Sequence, residues 1–234
     1  YIKNYTFSNS SLADVFKFYN SLELTASIKS DINFTKKTIS LKNQIQKIIP
    51  HYDGEIVYAA GGIHFSTIPG IYEANDEIII VDYDKTSYYP HFGMKHGVCP
   101  KHLGKSYSKF LNNTFNERLK YNKKEFPIIN HSLKIILNSS FGLGNSEYSF
   151  VYDTKATLGT TVNGMLTLTM GVDMLQNKLS YFYPLQYNTD GLTFMMLKSE
   201  FDIAKNIFDN LTKIDNIPYE YTEYSKMVII DVNN

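Results

Sequence analysis

The stretch DEIIIVDYD, residues 76–84, restricts the possible folds more than any other part of this chain. An unbroken apolar run of strand-forming residues signals a strand buried on both faces, so other layers must cover it. The run ends in Asp82 and Asp84. Two residues apart on a strand, these carboxylates share one face. They are costly there unless the strand end meets water or something binds them. The tight exit Ser87-Tyr88-Tyr89-Pro90 follows, a turn whose free N–H groups could hold a phosphate beside a metal ion.

Periodicity organises the rest. Ser11-Leu12-Ala13-Asp14 has capping-box character before a helix, and a second helix is expected from about Leu41 to Ile49, ending before Pro50. EIVYAAGGIHFS and IYEA read as two strands around the turn Ile68-Pro69-Gly70. A helical region is expected over about Lys105–Lys124, then a helix opened by Pro127. GNSEYSFVYD reads as a strand or hairpin. From Leu158 onward, Val162, Met165, Leu168, Val172, Leu175 and Leu179 recur at helical spacing. A strand pair around Asp190, a helix near Glu200–Leu211 and a last strand in YSKMVIIDV close the series. The order predicts an α+β fold: an antiparallel sheet with helices on one face.

A length of 234 residues allows one large domain or two small ones. Zero net charge gives no bulk sign of a nucleic-acid partner, so any basic surface is local. Lys101, Lys105, Lys109, Arg118, Lys120, Lys123 and Lys124 form such a segment, opposed only by Glu117. A solvated helix face is the plain alternative. Arg118 is the one arginine, a planar fork among point-charge lysines. The single Cys99 excludes an internal disulfide and suits a reducing, cytoplasmic setting. No run has transmembrane length, so no membrane partner is expected. A start at Tyr1 and an end just after a strand-like run make a fragment of a longer protein the expectation.

Two further constellations bear on chemistry. In HSLKIILNSSFG, residues 131–142, Lys134, Asn138 and Phe141 line one helix face, which suits a nucleotide; Ile129, Leu133 and Ile136 would anchor the opposite side. A solvated Lys, a near-terminal Asn and a core Phe are the alternative. In QYNTDGLTF, residues 186–194, Asn188-Thr189-Asp190-Gly191 is turn chemistry between strands, and Asp190 is a carboxylate at its tip. Two carboxylates from separate strands can clamp two Mg²⁺ ions roughly 3.5–4 Å apart for in-line phosphoryl displacement.

In this order the three segments resemble the motifs of the family B DNA polymerases, of the phage or mobile-element type. Asp84-Lys85-Thr86-Ser87-Tyr88-Tyr89-Pro90 is similar to motif A, DxxSLYP; Lys134 to Gly142 is similar to motif B, KxxxNSxYG. Asn188-Thr189-Asp190-Gly191 is similar to motif C, DTDS, with changes, and Gly61-Gly62 matches the family's upstream double glycine near the template. The resemblance covers roughly residues 55–232. It implies a polymerase palm with a helical fingers insertion: a pre-palm segment over 1–52, palm over 53–100, fingers over 101–144 and palm again over 145–234. Exonuclease and thumb domains are not expected in the chain.

The resemblance further implies roles. Asp84 and Asp190 would be the catalytic, metal-bridging carboxylates, with the Lys85 carbonyl as another ligand and Asp82 as a further candidate. Backbone N–H groups at Ser87 and Tyr88 would cradle the triphosphate, and Tyr89 would pack under the sugar. Arg118, Lys134 and Asn138 would contact phosphates; Gly61, Gly62, Phe141 and Gly142 would lie near template and primer. Two Mg²⁺ ions, or Mn²⁺ instead, are the implied cofactors. Primer–template DNA and dNTP are the implied partners, with a terminal protein or replication factors as candidates beyond them; the cytoplasm, a host cell's for a phage protein, is the implied setting. The departures are Asn188 for the first Asp of DTDS, Gly191 for its Ser and Phe141 for the motif B Tyr. Asp82 is expected to restore part of the charge lost at Asn188. A degenerate module that only binds nucleic acid, a reverse transcriptase, and an unrelated α+β binding protein are the alternatives.

Overall fold

A computed structural model describes residues 5–22 and 46–230. Two units emerge, here called the sheet unit (described residues 5–22, 46–86 and 161–230) and the helical unit (Ser87–Thr160).

In the sheet unit, β1 (Lys47–His51), β2 (Gly54–Ala59), β3 (Gly62–Ser66), β5 (Ile78–Lys85), β6 (Phe182–Asn188), β7 (Gly191–Leu197) and β8 (Tyr219–Tyr224) form one sheet. Its order is β1-β2-β3-β6-β7-β5-β8, and every pair is antiparallel. A second, two-stranded sheet joins β4 (Gly70–Glu73) to β9 (Lys226–Ile229). The apolar run is the interior strand β5, held between β7 and β8.

The alternation of β5 decides what each face does. Ile79, Val81 and Tyr83 enter a core shared with α1 (Ser10–Asn20), α5 (Thr154–Lys178) and α6 (Phe201–Asp215). Leu12 and Val15, Met165, Leu168, Val172 and Leu175, and Ile207, Phe208 and Leu211 supply the helical side. Each such fully buried aliphatic side chain contributes about 1.5–3 kcal/mol, so this face is the main source of cohesion. Ile80 points the other way, into a smaller cluster with Leu185, Met195, Tyr72 and Met227. Mixed helices and antiparallel sheet agree with the expected α+β class. Among the described residues no helix is long and apolar enough to cross a membrane.

In the helical unit, α2 (Tyr88–His96), α3 (Lys105–Leu119) and α4 (Pro127–Gly142) pack around Tyr107, Leu111, Leu137 and Val151. The Tyr107 hydroxyl donates to the Ser140 carbonyl at 2.9 Å, tying α3 to α4.

Several local expectations change. α1 is capped by Asn9, whose side chain accepts from the N–H groups of Ser11 and Leu12, so the helix begins a residue before the predicted box. Of the helix expected over 41–49, residues 41–45 lie outside the described residues and Lys47–His51 is a strand. EIVYAAGGIHFS is a hairpin, β2 and β3, folded at Ala60-Gly61. GNSEYSFVYD forms turns, with Tyr148 and Phe150 exposed. The exit after β5 opens directly into α2. On α4, Ile129 and Ile136 are exposed, and Leu137 is the anchor that packs against α3.

Candidate active site

Register brings the two key carboxylates together. Asp84, in the last pair of the β5–β7 ladder, faces Gly191 at the start of β7, and the Lys85 N–H donates to the Asp190 carbonyl at 3.1 Å. Asp82, Asp84, Asn188, Asp190 and Thr193 line a cleft of about 450 Å³, walled by Tyr224, Lys226 and Met227. This is the sheet face of Ile80, away from the helical core.

The tip itself is braced. Thr189 has φ of 52°, a conformation a β-branched residue adopts only when its surroundings impose it. Its N–H donates to the Ile63 carbonyl at 2.9 Å. Gly62 makes this approach possible: with φ of 143°, a Cβ there would lie 2.2 Å from the Thr189 hydroxyl oxygen. Gly62 therefore has a local steric reason, since it lets β3 press on the hairpin tip, whereas a Cβ at Gly61 would meet nothing within 4 Å. Gly61 is exposed beside it. Gly191 also has its reason: a Cβ would sit 2.7 Å from the Asp84 carboxylate.

Electrostatics follow from burial and crowding. Burial, then the neighbouring Asp84 charge, pushes Asp190 up to about 7, against the opposing pull of Lys85. Burial also raises Asp82, while a 2.7 Å hydrogen bond from the Thr193 hydroxyl works against the rise. Lys85 is 1% exposed and forms an ion pair with fully buried Asp215 of α6. Burial pushes its ammonium pKa down and the Asp215 carboxylate holds it up. Its Nζ lies 5.5 Å from the Tyr219 ring centre, and Asp215 also accepts from the Ile217 N–H at 3.1 Å.

Among the described residues no three His, Cys, Asp or Glu side chains are grouped to hold a metal ion. The pair present still fits Mg²⁺. That ion is usually bound through one or two carboxylates, keeping water and substrate phosphates as its other ligands. Burial, and then the Asp84 charge, keeps Asp190 protonated to about 7, and a divalent cation would offset both. Asp84 and Asp190 are the residues that would hold it, with the Lys85 carbonyl as a candidate oxygen.

In the helical unit, Ser87 caps α2 with φ of 49°. Its hydroxyl accepts from Arg118 Nη1 at 3.1 Å, so the chain's one arginine reaches the turn that opens α2. Tyr88 is buried and donates to the Thr160 carbonyl at 2.5 Å, which makes its side chain part of the unit's frame. Tyr89 stacks on Phe141, ring centres 4.2 Å apart and planes 20° from parallel. Lys134 and Asn138 are exposed on α4, and Gly142 is its exposed last residue.

Sequence reasoning missed two groups. The motif resemblance gives Lys85 a role through its carbonyl alone, yet the side chain has the parity of Ile79, Val81 and Tyr83, which places it on the buried face. Asn130, which accepts from Arg118 Nε at 3.3 Å, gave no signal, because only the helix pairing brings it there. Compared with protein-family models and with curated proteins, the chain matches none.

Proposed function

We propose that this chain is the core of a template-directed DNA polymerase, a palm with helical fingers, which transfers a deoxynucleotide from dNTP to a primer 3′-hydroxyl. The observation that carries the reading is the meeting of Asp84 and Asp190, remote in sequence, across adjacent strands in an open acidic cleft. Burial of Asp190, and then its repulsion by Asp84, makes the pair a place where a cation would be favoured, and the motif resemblance gives that cation a reaction.

Two bound Mg²⁺ ions would lower the pKa of the primer hydroxyl and neutralise the charge developing on pyrophosphate. The protein's share is positioning. In the sheet unit Asp84 and Asp190 would hold the ions; by the motif resemblance, Arg118 and Lys134 of the helical unit would attract the triphosphate, and Tyr89, stacked on Phe141, would offer a flat surface to the sugar. Base pairing with the template supplies sequence choice. Asn188, exposed where the family has Asp, favours a second reading, a degenerate module that binds nucleic acid without extending it.

Primer extension with Mg²⁺ separates the two. Wild type should extend a DNA primer on a DNA template, and Asp190→Ala should lose at least about 10³-fold in rate. Binding without extension would favour the degenerate module, and preference for an RNA template would make the chain a reverse transcriptase.

A further inference from the structure

We propose that Asn130 is the positioning residue that aims Arg118 at a phosphoryl group. This rests on the phosphate role assigned to Arg118 above. The guanidinium is half-buried and, among the described residues, makes no ion pair. Both of its hydrogen-bond partners are neutral: Ser87 Oγ takes Nη1 and Asn130 Oδ1 takes Nε. A guanidinium held by neutral acceptors keeps its full charge and its remaining N–H groups for an anion. A carboxylate in the same place would have cancelled it.

The orientation of Asn130 is fixed by chemistry. Its Nδ2 donates to the Tyr121 carbonyl at 2.8 Å, so the oxygen, and not the amide N–H, must face Arg118. Tyr121 in turn donates its N–H to the Arg118 carbonyl at 3.1 Å. The first turn of α4 thus locks the end of α3, and with it the direction of the fork. Lysine at 118 could keep the charge but has no Nε–H for Asn130 to hold.

Binding of inorganic tripolyphosphate, measured calorimetrically in a metal-free chelating buffer, tests this without needing polymerase activity. Asn130→Ala should weaken binding about tenfold in the wild-type background, the scale of a hydrogen bond to a charged group. In an Arg118→Lys background the same substitution should change nothing further. Asn130→Asp, nearly isosteric, should fold and yet weaken binding more than Asn130→Ala, because its charge cancels the arginine. An equal loss from Asn130→Ala in both backgrounds would reduce Asn130 to a general packing role and overturn the proposal. So would absence of tripolyphosphate binding by wild type. Primer extension run in parallel keeps the two readings apart: a coupled pair without extension leaves the positioning intact and sinks the polymerase, whereas extension with an uncoupled pair does the reverse.

Discussion

Asp190 carries the sharpest consequence at the scale of single residues. The folded protein retains its proton up to about pH 7, whereas an unfolded chain releases it near about pH 4. The folded state therefore binds more protons between those values, and stability falls as pH rises through that window. Asp190→Asn should raise stability by up to about 4 kcal/mol at pH 8 in a chelating buffer, with the gain vanishing below about pH 4. Urea unfolding across that pH range measures it; a pH-independent difference would remove the raised Asp190 pKa as the cause.

Between elements, the tie from β5 to α6 through Lys85 and Asp215 is the costly one. Removing one partner leaves a buried charge, so Lys85→Met should cost about 3–5 kcal/mol. Lys85→Met with Asp215→Leu should recover most of that loss, as seen by chemical denaturation. How far the elements were legible follows the same logic. β5, α4, α5, α6 and the β6–β7 hairpin were readable because each has one dominant period or turn. β8 and α2 were not: YEYTEY is largely exposed, and α2 starts at a left-handed Ser87 with no side-chain cap. Asp84 and Asp190 were legible only as motif members. Their register, the Thr189 brace and the Asn130 clamp depend on long-range pairing that no local pattern encodes.

For the molecule as a whole, zero net charge means that a polyanion must be met by local cations. Some lysines are already neutralised: Lys17 by Asp14, Lys120 by Glu117 and Lys226 by Glu73. Lys105 and Lys109 are exposed on α3 and form no ion pair among the described residues. If both meet DNA phosphates, Lys105→Gln with Lys109→Gln should flatten the slope of log K against log salt by about 2. Titration of a labelled primer–template at several salt concentrations gives the slope directly, and an unchanged slope would place the DNA elsewhere.

The buried ion pair also bears on how the chain avoids misfolding. A slip of β5 by one residue would expose its apolar face and is forbidden by hydrophobicity alone. A slip by two residues keeps every side chain on its proper face and would set Asp82 where Asp84 belongs, so burial cannot detect it. It would, however, pull Lys85 off Asp215 and leave the buried carboxylate without its Lys85 partner. The pair thus works as a key cut for one alignment, and a chain that fits the lock has its carboxylates in phase.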